Sequence, residues 1–462
     1  MWLTTLLLLL LNLLKEGGAF SLSSSRVIPA PRNGVSRRAS IDQLLSPSPA
    51  PAVVNPRPVR SSERSARLPV WPAWNGLAFV VLDLLGQNNL ATHLEDLLGG
   101  RVSPMMLDAR EADPFILLVH HRHSFQKFDP LRAAFRFLMA EGFPAHPHRG
   151  FETVTYVLPG KRGLVHRDSL GFKMRYSDGD AQWMTAGRGI LHEEMWETDE
   201  NEDAKGGKKP SGVRNLGLTS DAELYQLWLN LPPSAKMTSP RIQLVRPAPK
   251  HDRVEAEAAA GAAGGAAADG EAAEKESARL AVVGLQRARP SPGVTVRVLS
   301  GEAHGVRSET KTFSPVTIIH ATLGEEGAGS TPSSSRWELP LPSTYNCLVY
   351  VRRGSVDVVA LSSRRRLKTH ELAYLERRDG VFDGLVLEAH GGDVMVFAGE
   401  PLRAPVASSG TMVMNTDEEV DRAFKDYQRG EFGIPWDHSI SDEEWRGAVA
   451  SGRSRSSSSI SR

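Results

Sequence analysis

Apolar positions along this chain recur in short runs, at residues 151–158, 181–184, 224–231, 294–299, 316–323, 347–351, 355–361 and 394–398. Runs of this length punctuated by Gly and Pro, as at Pro159-Gly160, Asp178-Gly179-Asp180 and Arg353-Gly354, predict antiparallel sandwiches or barrels, because a tight turn returns the chain beside the strand it has just left. Strands do not alternate with helices, so the expected fold class is all-β. Two stretches carry a helical period instead: 128–139, and 417–427, where Val420, Phe424 and Tyr427 share a face. The second opens on Asn415-Thr416-Asp417-Glu418-Glu419, which offers a capping side chain and acids for the positive end of the helix.

The strand rhythm occurs twice. Gly160 followed by Asp178-Gly179-Asp180 matches Gly354 followed by Gly392-Asp393, which predicts two tandem barrels arising from a duplication. An Ala/Gly/Glu tract at 254–275 lies between them. Each glycine in it costs about 1 kcal/mol in a helix and no apolar stripe is present, so a solvated linker is expected over 246–279. A charged, Gly/Lys-rich insertion occupies 199–212. The predicted organisation is then a first barrel over 71–245, a second over 280–412, a helix and tail packing on the barrels over 413–440, and a disordered Ser/Arg-rich tail over 441–462.

The N-terminus differs in kind. Residues 2–14 are almost purely apolar, too short a run to span a bilayer of roughly 30 Å, so residues 1–20 read as a cleaved signal segment rather than a membrane anchor. Residues 21–70 are rich in Ser, Pro and Arg, with Arg26, Arg32, Arg37, Arg38, Arg57, Arg60, Arg64 and Arg67 against only Asp42 and Glu63. That composition is transit-like and predicts disorder. Two destinations fit, a plastid reached through a two-part presequence or the secretory pathway with a disordered linker.

Composition narrows the chemistry. The chain has 462 residues, a formal net charge of +1, 40% hydrophobic and 24% charged residues, so no bulk charge points to nucleic acid or a membrane surface, and a monomer with no span in the mature protein is expected. The single cysteine, Cys347, lies in the apolar run Asn346-Cys347-Leu348-Val349-Tyr350, where it reads as a small buried hydrophobe. It excludes an internal disulfide and a thiolate-rich metal site, leaving His and carboxylate as the available ligands.

Those ligands occur in a pattern. In Gly142-Phe-Pro-Ala-His146-Pro-His148-Arg-Gly-Phe-Glu152, strand alternation sends His146 and His148 to one face. In Gly189-Ile-Leu-His192-Glu193-Glu194, His192 and Glu194 repeat the spacing. One His-x-His pair alone could be a loop accident; a second pair after a Gly-rich turn argues for a site of three imidazoles and one carboxylate. Glu152 competes with Glu194 as the acidic ligand, or serves as an outer hydrogen-bond partner that orients an imidazole. Such a set suits Fe(II), Mn, Ni, Cu or Zn and suits Ca or Mg poorly. Fe(II) is the expected ion, with another divalent transition metal as alternative. Phe151, Trp183 and Met184 are candidate pocket walls, although as strand residues they fit the core better. His120, His121, His123 and His166 read as packing or surface residues, and Arg149 and Arg188 as loop-fixing charges or part of an anion or partner surface.

The stretches Phe143-Pro-Ala-His-Pro-His-Arg-Gly-Phe-Glu-Thr-Val-Thr-Tyr156, Gln182-Trp-Met-Thr-Ala-Gly-Arg-Gly-Ile-Leu-His-Glu-Glu-Met195, Tyr225-Gln-Leu-Trp-Leu-Asn-Leu231 and Phe397-Ala-Gly-Glu-Pro-Leu402 resemble the signature blocks of the pirin family of the cupin superfamily. The resemblance implies two cupin-type barrels (a bicupin) with a short C-terminal helix. It also implies His146, His148, His192 and Glu194 as the metal ligands, which moves Glu152 to the outer shell. The second half has Trp337-Glu-Leu-Pro-Leu-Pro-Ser-Thr-Tyr-Asn-Cys347 where a ligand block would stand, so its barrel is expected to be metal-free. The implied activity is that of an iron-dependent quercetin 2,3-dioxygenase on a flavonol-like phenol, with the metal as template and Lewis acid and Glu194 assisting removal of the substrate proton. The family also implies an alternative, a non-enzymatic, metal- or redox-dependent regulator that binds a transcription factor or metabolic enzyme without touching nucleic acid itself.

Overall fold

The computed structural model describes residues 53–69, 74–125, 129–135, 140–197, 222–247, 280–324 and 335–459. The expectations for 1–20, for the insertion at 199–212 and for the tract at 254–275 lie outside them. The first half builds β1 (Val59–Arg64), β2 (Leu68–Pro69), β3 (Arg101–Met106), β4 (Phe115–His123), β5 (Gly142–His148), β6 (Phe151–Val157), β7 (Leu164–Asp168), β8 (Lys173–Tyr176), β9 (Ala181–Thr185), β10 (Ile190–Trp196), β11 (Ala222–Asn230) and β12 (Arg241–Pro247). The second builds β13 (Leu280–Ala288), β14 (Val294–Ser300), β15 (Glu302–Ala303), β16 (Val306–Arg307), β17 (Val316–Leu323), β18 (Ser335–Pro340), β19 (Asn346–Val359), β20 (Arg364–Lys368), β21 (Glu371–Leu375), β22 (Gly384–Gly399), β23 (Ala407–Ser409) and β24 (Met412–Met414). The strands expected at 151–158, 181–184, 224–231, 294–299, 316–323 and 394–398 are present within these elements. The runs at 347–351 and 355–361, read as two strands around a turn, lie instead within or just beyond one strand, β19. Gly354, at φ +77°, pairs with Gly392 of β22, and the ladder bulges on both sides of it. A Cβ there would meet Gly391 O at 2.1 Å, so the glycine bends the strand round a barrel corner without ending it.

A single path of hydrogen-bonded strands runs through both barrels in the order β1-β21-β19-β22-β17-β14-β13-β12-β9-β6-β11-β4-β3-β2. The barrels join where β12 and β13 pair in parallel. A separate sheet, β5-β10-β7-β8, closes the first barrel. Between the barrels lies a shared apolar core to which the first contributes Leu118, Val154, Tyr156, Trp183 and Tyr225, and the second Leu299, Ile318, Leu348, Tyr350 and Phe397. The interior of the second barrel is filled by apolar side chains, among them Val296, Ile319, Trp337, Val349 and Val396. Cys347 is packed there, its thiol pushed up to about 12 by burial, as expected of an inert hydrophobe.

Charges also cross the interface. Glu223 accepts from Arg352 Nε and Nη2 at 2.8 and 2.7 Å and lies 2.9 Å from His120 Nε2. Arg352 reaches on to Asp393 at 2.7 Å, Asp393 lies 3.0 Å from His320, and His320 lies 2.8 Å from the Tyr156 hydroxyl. Ions this deep persist only when each is paired, because desolvating one without a partner costs several kcal/mol.

Two expectations of disorder are corrected, one at each end. The segment 21–70 was read as wholly unfolded, yet β1 pairs with β21 of the second barrel from Val59↔Leu375 to Arg64↔Glu371, and Arg57 is fully buried. Backbone pairing at a sheet edge needs no apolar composition. The tail 441–462 was likewise read as disordered, yet residues 442–459 are helical, and the helices of the protein are α1 (Trp74–Leu84), α2 (Asn88–Leu98), α3 (Pro130–Phe135), α4 (Asp417–Gln428) and α5 (Asp442–Ser459). At the start of α5, Ser441 Oγ accepts from Glu444 N at 3.2 Å while Glu444 Oε2 accepts from Ser441 N at 2.8 Å, a capping box. Trp445 and Val449, one turn apart, enter a core with Leu191, Val420 and Trp436. Helix α4 takes its cap from Thr416 as expected, and α3 falls within the helix expected at 128–139. Helices α1 and α2 were not anticipated; α1 is so uniformly apolar that it shows no stripe. No helix among the described residues is long and apolar enough to cross a membrane.

Because Trp445 is fully buried, Trp445→Ala is expected to lower stability by about 3–5 kcal/mol in denaturant unfolding. Unchanged stability would return the tail to the disordered class.

Candidate metal centre

The small sheet assembles the site by cross-strand pairing. β5 and β10 run antiparallel with His146 opposite His192 and His148 opposite Ile190, and β7 on the other side of β10 places Asp168 opposite His192 and His166 opposite Glu194. A bulge interrupts the β5–β10 register between His192 and Glu194, a device that re-aims side chains beside functional sites. The rings of His146, His148 and His192 come together with centroids 4.7, 4.4 and 4.8 Å apart. Their ligating atoms lie within 4.8 Å of one another, and those of His166, His192 and Glu194 form a second such group that shares His192.

What these atoms lack is informative. Neither nitrogen of His148 nor Nε2 of His192 has a hydrogen-bond partner, although all are buried. Leaving a buried polar atom unpaired costs about 1–3 kcal/mol, and clustering such atoms makes sense as a set of lone pairs converging on a cation. His146 Nδ1 lies 2.8 Å from Pro144 O; a carbonyl only accepts, so Nδ1 carries the proton and Nε2 the lone pair. Glu194 is held by Tyr176 Oη and by Thr155 Oγ1 at 3.1 Å on Oε1, and by Gln226 Nε2 at 3.2 Å on Oε2. The donor set fits a transition-metal ion, with three imidazoles kept neutral by burial and a carboxylate beside them.

Burial sets the protonation. It pushes His146 down to about 4 and His148 and His192 well below the ordinary value, which leaves their lone pairs free at neutral pH. Burial also raises Glu194, against the hydrogen bond from Tyr176 that lowers it. The accessible side is β5, where Gly142 to Pro147 are all half-buried while His148, His192 and Glu194 are enclosed.

Several expected residues sit elsewhere. Glu152 was read as an outer partner of an imidazole. The turn at Arg149-Gly150 resets the alternation, so Glu152 points to the opposite face of β6, where it accepts from Thr185 Oγ1 at 2.6 Å. Among the described residues no imidazole bonds to it. Trp183 belongs to the core between the barrels and Met184 to an apolar cluster of the first barrel that also holds Tyr176 and Ile190. Phe151 meets the site directly, edge-on to His148 at 5.1 Å. Arg149 is a loop-fixing charge: it donates to Arg188 O at 2.6 Å and Asp426 at 2.6 Å and lies over Phe432. His120 and His121 are buried and His123 half-buried, packing residues as expected, the last two against Trp196. His166, also read as packing or surface, is instead brought into the site. Its signal was available, since His166-x-Asp168 repeats the i, i+2 spacing of the ligand pairs.

Two outcomes follow. Tyr176→Phe removes a donor from a buried carboxylate and is expected to cost about 1–3 kcal/mol of stability and about tenfold in metal affinity, read by denaturation and chelator competition. The second concerns pH. His120 and His123 are also pushed down by burial, to about 4 and about 3, and His121 well down. Below pH ~6.5 the unfolded chain protonates these histidines while the native state does not, so unfolding takes up protons and stability falls as pH falls. Glu152 and Asp180, raised by burial to about 7 and about 6, act the other way, as do Glu194 and Asp113, which burial also raises, but they are four groups against six. The unfolding midpoint of metal-free protein is therefore expected to drop between pH ~6.5 and ~4.

Comparison with known proteins agrees with this architecture. A family model described as Pirin matches residues 78–229, and one described as Pirin C-terminal cupin domain matches 330–433. Pirin of Homo sapiens is 30% identical over 331 residues, covering 71% of this chain and 85% of the relative. A pirin-like protein of Solanum lycopersicum is 32% identical over 321 residues, covering 68% and 85%. Among solved structures, a quercetin 2,3-dioxygenase from Acinetobacter baumannii aligns with a TM-score of 0.53 at 24% identity over 82% of this chain and 99% of that one, a likeness of fold. With identity and coverage at these levels and both barrels matched, the chain belongs to the pirin family.

Proposed function

We propose that this protein is a mononuclear iron(II) dioxygenase that cleaves a flavonol-like phenol, with His146, His148, His192 and Glu194 as ligands. The observation that carries the reading is the set of buried, unpartnered nitrogens on His148 and His192, which cluster with His146, while His192 also clusters with Glu194. The substrate class follows the chemistry of the quercetin dioxygenase with which the fold is shared. His146, His148, His192 and Glu194 would hold iron(II), which would supply there an electrophilic centre for a phenolate and for dioxygen.

The chain's own residues do the rest. Phe151 and Trp228, whose rings lie 5.1 and 5.8 Å from that of His148, provide apolar surface for an aromatic ring. Substrate enters past β5, the half-buried side. Glu194 Oε1 is committed to Tyr176 and Thr155, whereas Oε2 receives only Gln226. Oε2 is thus the atom placed to take the substrate's hydroxyl proton when substrate loosens Glu194 from the metal.

Purified protein is expected to contain iron by elemental analysis and to consume oxygen with quercetin, and His146→Ala is expected to lose both. Metal bound without turnover of any flavonol would end the dioxygenase reading in favour of a metal-dependent binding role.

A further inference from the structure

His166 is fully buried beside two of the proposed ligands and has no place in the metal shell just described. Its surroundings form a chain of contacts that begins in a turn. Asp168 Oδ1 accepts from the backbone N–H groups of Leu170 and Phe172 at 2.7 and 3.1 Å, which fixes the carboxylate, and Oδ2 lies 2.9 Å from His166 Nε2. On the other side of the ring, His166 Nδ1 lies 3.4 Å from His192 Nδ1.

The polarity of this chain follows from what each atom can do. A carboxylate only accepts, so the proton between Asp168 and His166 sits on Nε2 of His166. A neutral imidazole with its proton on Nε2 presents a lone pair at Nδ1. His192 Nδ1 faces that lone pair and must carry a proton. His192 Nε2 is then bare, and it is the nitrogen that has no hydrogen-bond partner. The geometry points to Asp168 and His166 as positioning residues that lock His192 in the tautomer whose Nε2 lone pair is aimed at the metal. Resting on the metal reading of this site, the inference also explains why His166 is not itself a ligand. Its atoms lie near those of His192 and Glu194, but both of its nitrogens are engaged. His146 reaches the same tautomer by another route, through the carbonyl of Pro144.

Asp168→Asn tests the polarity with little change in shape. The amide oxygen can still accept from Leu170 and Phe172, but an NH2 group now faces His166 Nε2. The proton of His166 moves to Nδ1, and that of His192 is driven to Nε2, the nitrogen a metal needs. The affinity of the full chain for Ni(II) or Zn(II), measured by chelator competition, is expected to fall about 10–100-fold in Asp168→Asn and in His166→Ala. His166→Gln, whose amide oxygen can accept from His192 Nδ1, is expected to recover part of it. Nitrogen-15 spectra of histidine-labelled metal-free protein read the tautomers without any variant. They are expected to show Nδ1–H on His192 and Nε2–H on His166.

Wild-type affinity in Asp168→Asn overturns the inference. So does Nε2–H on His192 in the wild-type spectrum, or a Zn(II)-induced coordination shift on His166. A wild-type chain that takes up neither metal would sink the metal reading itself, and the spectrum of the metal-free protein would still decide the tautomer.

Discussion

Everything in this structure depends on one sheet, β9-β6-β11-β4, being buried on both faces. Strand alternation divides its residues between two tasks. On β6, Phe151 and Thr155 face the first barrel, against His148 and Glu194, while Val154 and Tyr156 enter the core shared with the second. On β11, Gln226 and Trp228 face the histidines while Glu223 and Tyr225 face the second barrel. A slip of one residue in either strand would exchange the two sets, placing carboxylate donors in an apolar core and apolar residues beside the acid. The second barrel therefore fixes the register of strands whose other face builds the site.

The remaining anchors come from the chain ends. Strand β1 adds an edge to the second barrel, while the segment from β24 to α5 packs on the first. This C-terminal segment grips residues adjacent in sequence to the proposed ligands. Arg149, next to His148, pairs with Asp426. Glu193, between His192 and Glu194, receives Trp436 Nε1 at 2.8 Å and is paired with Arg167. Lys236 donates to the carbonyls of Gly150 and Val413, both at 2.9 Å, and so ties the turn after β5 to the same segment. The ligand strands are held from behind by salt bridges and aromatic contacts, while their inward side chains remain available. A site of neutral imidazoles needs such support, since the few hydrogen bonds to its rings orient them only if the strands that carry them are themselves fixed.

Much of this was legible in the sequence because it is local. The i, i+2 spacing of His146 with His148 and of His192 with Glu194 is a property of an extended backbone, and it survives whatever the strands pair with. That rule did not reach Glu152 or Trp183. Glu152 lies beyond the Arg149-Gly150 turn, where φ at Gly150 is +86° and the count of alternate residues restarts. Trp183 lies in a strand buried on both faces, so composition could not say which face it took. His166 was passed over as a packing or surface residue, although its spacing to Asp168 was the spacing already in use. The ordered ends were missed for a different reason: β1 and α5 are held by partners hundreds of residues away, and their own composition resembles that of unfolded chain.

By itself the sequence determined the strand-rich class, the repeated strand rhythm, the buried cysteine and the candidate ligand residues, because each rests on composition or on neighbours within a few positions. Only the tertiary structure decided that His146 faces His192, that Glu194 is held by Tyr176, Thr155 and Gln226, and that Asp168 and His166 stand behind His192. Those contacts join strands across a barrel, and their register is set by burial on both faces of a shared sheet rather than by any residue's own neighbours.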